Sequence, residues 1–268
     1  MQLFYSFLIL AASILLLYFG ANFLVRGSAN LARILGVKPL IVGLTIVAFG
    51  TSMPEFLVSM FGVLQNAADI SVGNIIGSNI ANIALILGTA GLIAPISLKY
   101  GHIRQQLLIL LLGSLLFSLL AYDGISRLEG FIFLSLIILY VVYLIRSSRE
   151  EEVKSELPET DNSVPRNVFF AIGGILALVF SSHGIILSAS NIAEYFGISQ
   201  IVIGMTIVAL GTSLPELAAS ITAQIKRESD ISIGNVIGSN MFNMFFVGGG
   251  AATIRGIPIN ISIYNFEV

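Results

Sequence analysis

Long apolar stretches alternate with short polar ones along the whole chain. Eight can be read, over 3–24, 40–64, 70–96, 105–122, 129–145, 168–190, 198–225 and 231–257. A helix needs roughly 20 residues to cross the hydrocarbon core of a bilayer. A membrane β-barrel would instead show alternating segments of about ten residues. The pattern therefore predicts an all-α, polytopic membrane helix bundle of about eight spans. The first stretch, Leu3 to Leu24, has no basic segment before it and is too long for a signal-peptide core, so it reads as a span.

Composition narrows this further. Charged residues make up 10% of the 268-residue chain, hydrophobic ones 56%, and the mean hydropathy is +0.95. Soluble domains carry about 25% charge, so a soluble globular protein, a disordered chain and a nucleic-acid binder are all excluded. No cysteine is present, which removes disulfides, thiol nucleophiles and cysteine metal sites. The loops after odd-numbered stretches hold Arg26, Arg33, Lys38, Lys99, Arg104, Arg146, Arg149, Lys154, Arg166, Lys226 and Arg227. The other side holds only Arg127 and Arg255. The positive-inside bias then puts the N-terminus outside and the 146–167 loop in the cytoplasm, in an integral protein of the cell (inner or plasma) membrane. That loop carries Glu150, Glu151, Glu152, Glu156, Glu159 and Asp161. It reads as a solvated linker; a regulatory cation site is the alternative.

Residues 41–93 align with 202–254 without a gap, at an offset of 161, with 24 identities in 53 positions. GLTIVAFGTSMPE is matched by GMTIVALGTSLPE, and DISVGNIIGSNIAN by DISIGNVIGSNMFN. The offset also pairs Asn30 with Asn191 and Gly36 with Gly197. Five spans lie between equivalent points, and an odd number per repeat inverts the second copy in the membrane. This is the plan of many secondary transporters, whose sites lie at the midplane between copies. The expected organisation is a first half over 1–145, a linker over 146–167 and a second half over 168–268. Spans equivalent to the fourth and fifth have no counterpart in the second half.

Glu55 and Glu216 are the only acids well inside the predicted spans. An ionisable group at that depth costs several kcal/mol and marks a functional site by default. A protonated, hydrogen-bonded glutamate is the alternative for a single copy, and duplication weakens it. Helical spacing places Thr51 and Ser52 on the face of Glu55, and Thr212 and Ser213 on that of Glu216. Pro54 and Pro215 release the carbonyls of Gly50 and Gly211. Freed carbonyls at membrane depth are tolerated where they line a polar cavity. In the next span of each copy, Ser78 shares a face with Asn82, and Ser239 with Asn243. Gly73 with Gly77, and Gly234 with Gly238, form small-residue faces that permit close helix approach. The resulting donor set is all oxygen, which suits Ca²⁺ or alkali cations and argues against Zn²⁺ or Cu⁺. Two carboxylates neutralise one divalent ion. His183, in F-S-S-H-G, reads either as a proton relay or as a histidine satisfied by a neighbouring helix.

The duplicated G-T-S-x-P-E and G-S-N-x-x-N blocks resemble the α-repeats of the cation/Ca²⁺ exchanger superfamily, nearest to the prokaryotic Na⁺/Ca²⁺ exchangers. The resemblance implies that Thr51, Ser52, Glu55, Ser78, Asn82, Thr212, Ser213, Glu216, Ser239 and Asn243 hold Ca²⁺ and Na⁺ in turn. It also implies carbonyl ligands from Ala48 and Ala209. The implied fold has ten helices, the first and sixth sliding against the rest, and its last two are absent here. Some relatives carry Asp in place of Asn243. The function implied is Na⁺-driven Ca²⁺ antiport by alternating access, with proton-driven Ca²⁺ exchange as the alternative. An intramembrane hydrolase would need a nucleophile or catalytic metal motif, and the chain shows neither, so no enzyme is expected; a channel is the other non-enzymatic reading. Ca²⁺ and Na⁺ are then substrates rather than cofactors. The bilayer is the remaining partner, with neither nucleic acid nor an obligate protein partner expected.

Overall fold

The computed structural model describes residues 2–96, 100–148 and 163–258. Among these the chain is helical, with one isolated bridge between Ile125 and Ile257. The helices are α1 (Gln2–Ile34), α2 (Pro39–Thr51), α3 (Met53–Leu64), α4 (Ala68–Ile93), α5 (Tyr100–Leu120) and α6 (Arg127–Ser148). They continue as α7 (Val164–Tyr195), α8 (200–212), α9 (Leu214–Ile225) and α10 (229–254). The α2–α3 pair is bent by 43° and the α8–α9 pair by 48°.

Five single helices are long and apolar enough to cross a membrane, and the two bent pairs raise the number to seven. That number leaves out α10, which hydrophobic patterning reads as an eighth span. Its asparagines, serines and glycines make it less apolar than the other spans, and its position permits this. Every residue from Ile231 to Phe245 is buried, packed among α2, α5, α6 and α9. A helix sheltered by protein on all sides can carry Asn235, Asn240 and Asn243 without presenting them to lipid.

Helix ends also differ from those expected. The 33-residue α1 continues ten residues past Leu24, so Arg26 and Arg33 are helical rather than in a loop. Arg146 and Arg166 likewise lie in α6 and α7. Polar residues beyond the apolar stretch signal a loop in sequence, yet here Ser28 and Asn30 are buried. The Asn30 amide donates to Asn167 Oδ1 at 3.0 Å, and Arg33 donates to Asn30 Oδ1 at 3.2 Å. Arg33 also pairs with Glu228, in the turn between α9 and α10. At 1.5 Å per residue, α1 is about 50 Å long, well beyond the ~30 Å hydrocarbon core. The acidic loop residues, with Lys99, Arg149 and Lys154, lie outside the described residues.

The offset of 161 relates structure as well as sequence. Met53–Leu64 matches Leu214–Ile225, and Ala68–Ala81 matches Ser229–Phe242. Even the left-handed residues correspond: Gly36 with Gly197, and Asn66 with Arg227. The packing of the two copies differs, however. Gly234 and Gly238 lie against the backbone of α2 at Leu40, Gly43 and Leu44, as a small-residue face allows. Gly73 and Gly77 meet open space, so the expected close approach is absent there. Ala48 is buried, whereas its counterpart Ala209 is exposed. One copy is therefore closed between α2 and α10, and the other stands open between α8 and α4.

The α1–α7 pair is joined backbone to backbone. A methyl group on Gly27 would lie 2.6 Å from the Asn167 carbonyl, and one on Gly174 would lie 2.5 Å from the Leu24 nitrogen. Backbone cannot retreat as a flexible side chain can. We expect Gly27→Ala and Gly174→Ala each to cost about 1–3 kcal/mol, read as a lower midpoint in thermal unfolding of the detergent-solubilised protein. Gly73→Ala serves as the comparison, because its methyl enters open space; an equal loss there would contradict this packing.

Candidate functional site

Both helix breaks fall at a serine. Ser52 (φ −80°, ψ 4°) separates α2 from α3, and Ser213 (φ −86°, ψ 4°) separates α8 from α9. Pro54 and Pro215 occupy the first turn of the second half-helix. Their missing N–H would have been unsatisfied there in any case, so the proline starts a helix rather than kinking one. Glu55 and Glu216 follow directly, in the first turns of α3 and α9. The positive end of each half-helix dipole thus faces a carboxylate.

Both carboxylates are buried. Among the described residues neither has a basic partner. The serines are exchanged between the copies: Ser52 donates to Glu216 Oε1 at 3.2 Å, and Ser213 to Glu55 Oε1 at 3.1 Å. Ser78 reaches the same Glu55 oxygen at 3.5 Å. Helical spacing put each serine on the face of its own copy's acid; the hydrogen bond it makes is to the other copy's acid. On each carboxylate Oε2 is left without a hydrogen bond.

Asparagines brace the breaks symmetrically. Asn74 donates to the Glu55 carbonyl at 3.0 Å and to Ser59 Oγ at 2.9 Å. Asn235 donates to the Glu216 carbonyl at 3.2 Å and to Ser220 Oγ at 2.9 Å. Thr51 Oγ1 lies 3.1 Å from Asn235 Oδ1, 3.3 Å from the Ala48 carbonyl and 3.4 Å from Ser239 Oγ. Thr212 donates to the Ala209 carbonyl at 3.2 Å. Asn82 donates to Asn240 Oδ1 at 3.0 Å, with its own oxygen unpaired. Asn243 is buried with both polar atoms unpaired. A buried orphan polar atom calls for an explanation, and an absent ion or water is one.

Two expectations are modified. The Gly211 carbonyl accepts from Ser182 of α7 at 2.7 Å rather than facing a cavity. His183, on the exposed side of α7, lines a cavity of about 480 Å³ with Pro54, Phe180 and Thr212, and is not satisfied inside the bundle. Asn74, Asn235, Ser59, Ser220 and Asn240 were missed as individual contributors, although each belongs to an identical pair in the repeat. Ser182 has no such pair and left no signal. Nor did the four π-helical turns, Gly43–Val47, Asn82–Leu87, Gly204–Val208 and Asn243–Gly248. Each adjoins a candidate ligand, as π turns often do at functional sites.

The family described as sodium/calcium exchanger protein matches residues 5–146 and 166–268. The chain belongs to that family. Among its relatives is a putative antiporter, CaxA, of Alkalimonas amylolytica, 39% identical over 88% of this chain and 76% of the relative. Another is the inner membrane protein YrbG of Escherichia coli K12, 36% identical over 96% of this chain and 82% of the relative. A solved structure of the sodium-calcium exchanger NCX_Mj, soaked with Na⁺ and Ca²⁺, superposes with a TM-score of 0.86 at 32% identity. The match covers 96% of this chain and 84% of that one. The membrane-protein fold and the transporter family are thereby fixed.

The exchanged serines generate a specific test within this family member. Ser52→Ala and Ser213→Ala each remove one hydrogen bond to a carboxylate, a loss of about 1.5–3 kcal/mol. Ser52→Ala should couple to Glu216→Gln by at least ~0.5 kcal/mol and remain additive with Glu55→Gln. The readout is the thermal midpoint of the detergent-solubilised, ion-free protein in a double-mutant cycle. Coupling to Glu55 instead would mean that each serine serves its own copy.

Proposed function

We propose that this chain is a Na⁺-driven Ca²⁺ antiporter in which Glu55 and Glu216 form one shared ion site. The observation that carries the reading is the pair of buried carboxylates, each with one oxygen unbonded and no basic partner among the described residues. Two such charges are very costly in a bilayer unless a cation neutralises them. One Ca²⁺ balances both, and its oxygen coordination suits the set around them. Thr51, Ser52, Thr212, Ser213, Ser78, Ser239, Asn82, Asn243 and the carbonyls of Ala48 and Ala209 are the remaining ligands in this proposal. NCX_Mj, which its description calls a sodium-calcium exchanger, supports Na⁺ as the counter-ion. Proton coupling is the alternative, with a glutamate itself carrying the proton.

The halves 1–145 and 168–268 act in this proposal as inverted repeats joined by the 146–167 linker. The unequal packing of the copies supports alternating access: equal sequences closed on one side and open on the other correspond to one of two mirror states. We place the N-terminus outside and the linker in the cytoplasm of the cell membrane, on the basic-residue bias.

Radiolabelled Ca²⁺ flux into proteoliposomes decides between the couplings. An imposed Na⁺ gradient should drive uptake and a pH gradient should not; the opposite result would establish proton coupling. Glu55→Gln and Glu216→Gln should each abolish the flux, and near-normal transport in either would remove the shared site. If more than two Na⁺ exchange for each Ca²⁺, a valinomycin-clamped potential will bias the flux by about 2.3 kcal/mol per charge per 100 mV.

Sidedness has its own check, aided by the lack of native cysteine. A cysteine at Ser155 should stay unlabelled by an impermeant thiol reagent in intact cells and react after lysis. Labelling from outside would reverse the assigned orientation.

A further inference from the structure

We propose that Arg26 of α1 and Lys226, at the end of α9, form a binding site for the headgroup phosphate of an anionic phospholipid. The two cations share one face of the bundle. Lys226 Nζ donates to the Asn22 carbonyl at 3.4 Å, one helical turn before Arg26. The Arg26 guanidinium lies 5.4 Å from the centroid of the Phe170 ring, a cation–π distance. Phe170 in turn stacks on Phe23 with 5.4 Å between centroids and 5° between planes. The arginine is thus held on an aromatic platform, and both charged side chains remain exposed.

Like charges placed together call for an anion. Glu228, the acid whose charge acts on Lys226, is already paired with Arg33. Burial, and secondarily the Arg26 charge, hold the Lys226 ammonium below its ordinary pKa, with Glu228 acting in the opposite direction. The surface beside the two cations is apolar: Phe19, Phe23 and Ile225 are exposed. A phosphate between two cations with acyl chains along an apolar helix surface is the chemistry of a phospholipid, and basic pockets between membrane helices bind such headgroups.

The repeat separates this pair from the ion site. At the offset of 161, Arg26 corresponds to Leu187 and Lys226 to Gln65. The carboxylates, hydroxyls and amides of the ion site are duplicated, whereas these cations are not. They also join elements from different halves, α1 and α9, so a lipid seated there bridges them at a single end of the bundle.

The test is native mass spectrometry of the purified full chain with phosphatidylglycerol or phosphatidylcholine. Wild-type protein should retain phosphatidylglycerol in preference. Arg26→Gln and Lys226→Gln should each lower that retention about fivefold, and the double variant further, given roughly 1 kcal/mol per basic residue. Arg26→Lys should keep most of it. Arg127→Gln, which removes a charge from the side with few basic residues, should change nothing. Excess inorganic phosphate should not displace the lipid. Unchanged retention in the double variant overturns the proposal, provided its thermal midpoint matches wild type; a lower midpoint shifts the decision to Arg26→Gln alone. Equal loss in Arg127→Gln would mean nonspecific charge attraction, and displacement by inorganic phosphate a free-anion site; either result also overturns it.

Discussion

Two carboxylates buried together, without a cation among the described side chains to pair with them, are the constraint around which this molecule is arranged. Removing such charges from water is among the most expensive operations a fold can perform. The chain offsets part of that cost locally, with a half-helix N-terminus behind each glutamate and a serine hydroxyl delivered from the opposite copy. The remainder is left open, one oxygen on each acid.

The helix breaks follow from the same requirement. At the breaks Ser52 and Ser213 each give a hydroxyl to the other copy's acid, so both copies contribute to the surroundings of each carboxylate. Asn74 and Asn235 brace the half-helices just after the breaks, each bonded to a glutamate main-chain carbonyl and to a serine one turn onward. Asn235 is buried on α10 with its amide given to the Glu216 carbonyl and Ser220, and α2, α5 and α6 shield α10 from lipid.

Around this centre, the α1–α7 pair is a unit of its own, its backbones brought together through Gly20, Gly27 and Gly174. It meets the broken helices through a buried apolar seam, where Val47, Ala219 and Ala223 pack with Leu24 and Val25, and at specific points besides. Ser182 caps the Gly211 carbonyl, and Ile175 and Ile186 cover Gly50 and Gly211. At one end Arg33, Asn30 and Asn167 tie it to the turn after α9. Glycine here serves as the absence of a side chain, at places where one chain passes directly over another.

How much of this was legible in sequence depends on the range of each interaction. Hydrophobic runs fixed the all-α membrane class, because lipid contact imposes a length and polarity on each helix separately. The repeat singled out Glu55, Glu216 and their hydroxyl and amide neighbours, because duplication of polar residues at membrane depth is visible without coordinates. Helix ends were misjudged at Arg26 and Arg33, since burial against another helix, rather than apolarity, keeps that stretch helical. The partners of Ser52 and Ser213 were also beyond the sequence, for a bond between two copies depends on how the copies pack, which spacing along one helix does not encode. Most telling are Gly73 and Gly77 beside Gly234 and Gly238: the same residues in the same motif, two exposed and two buried against a neighbouring backbone. Identical local sequence gives identical local structure, but which copy closes is decided only by the helices packed around it.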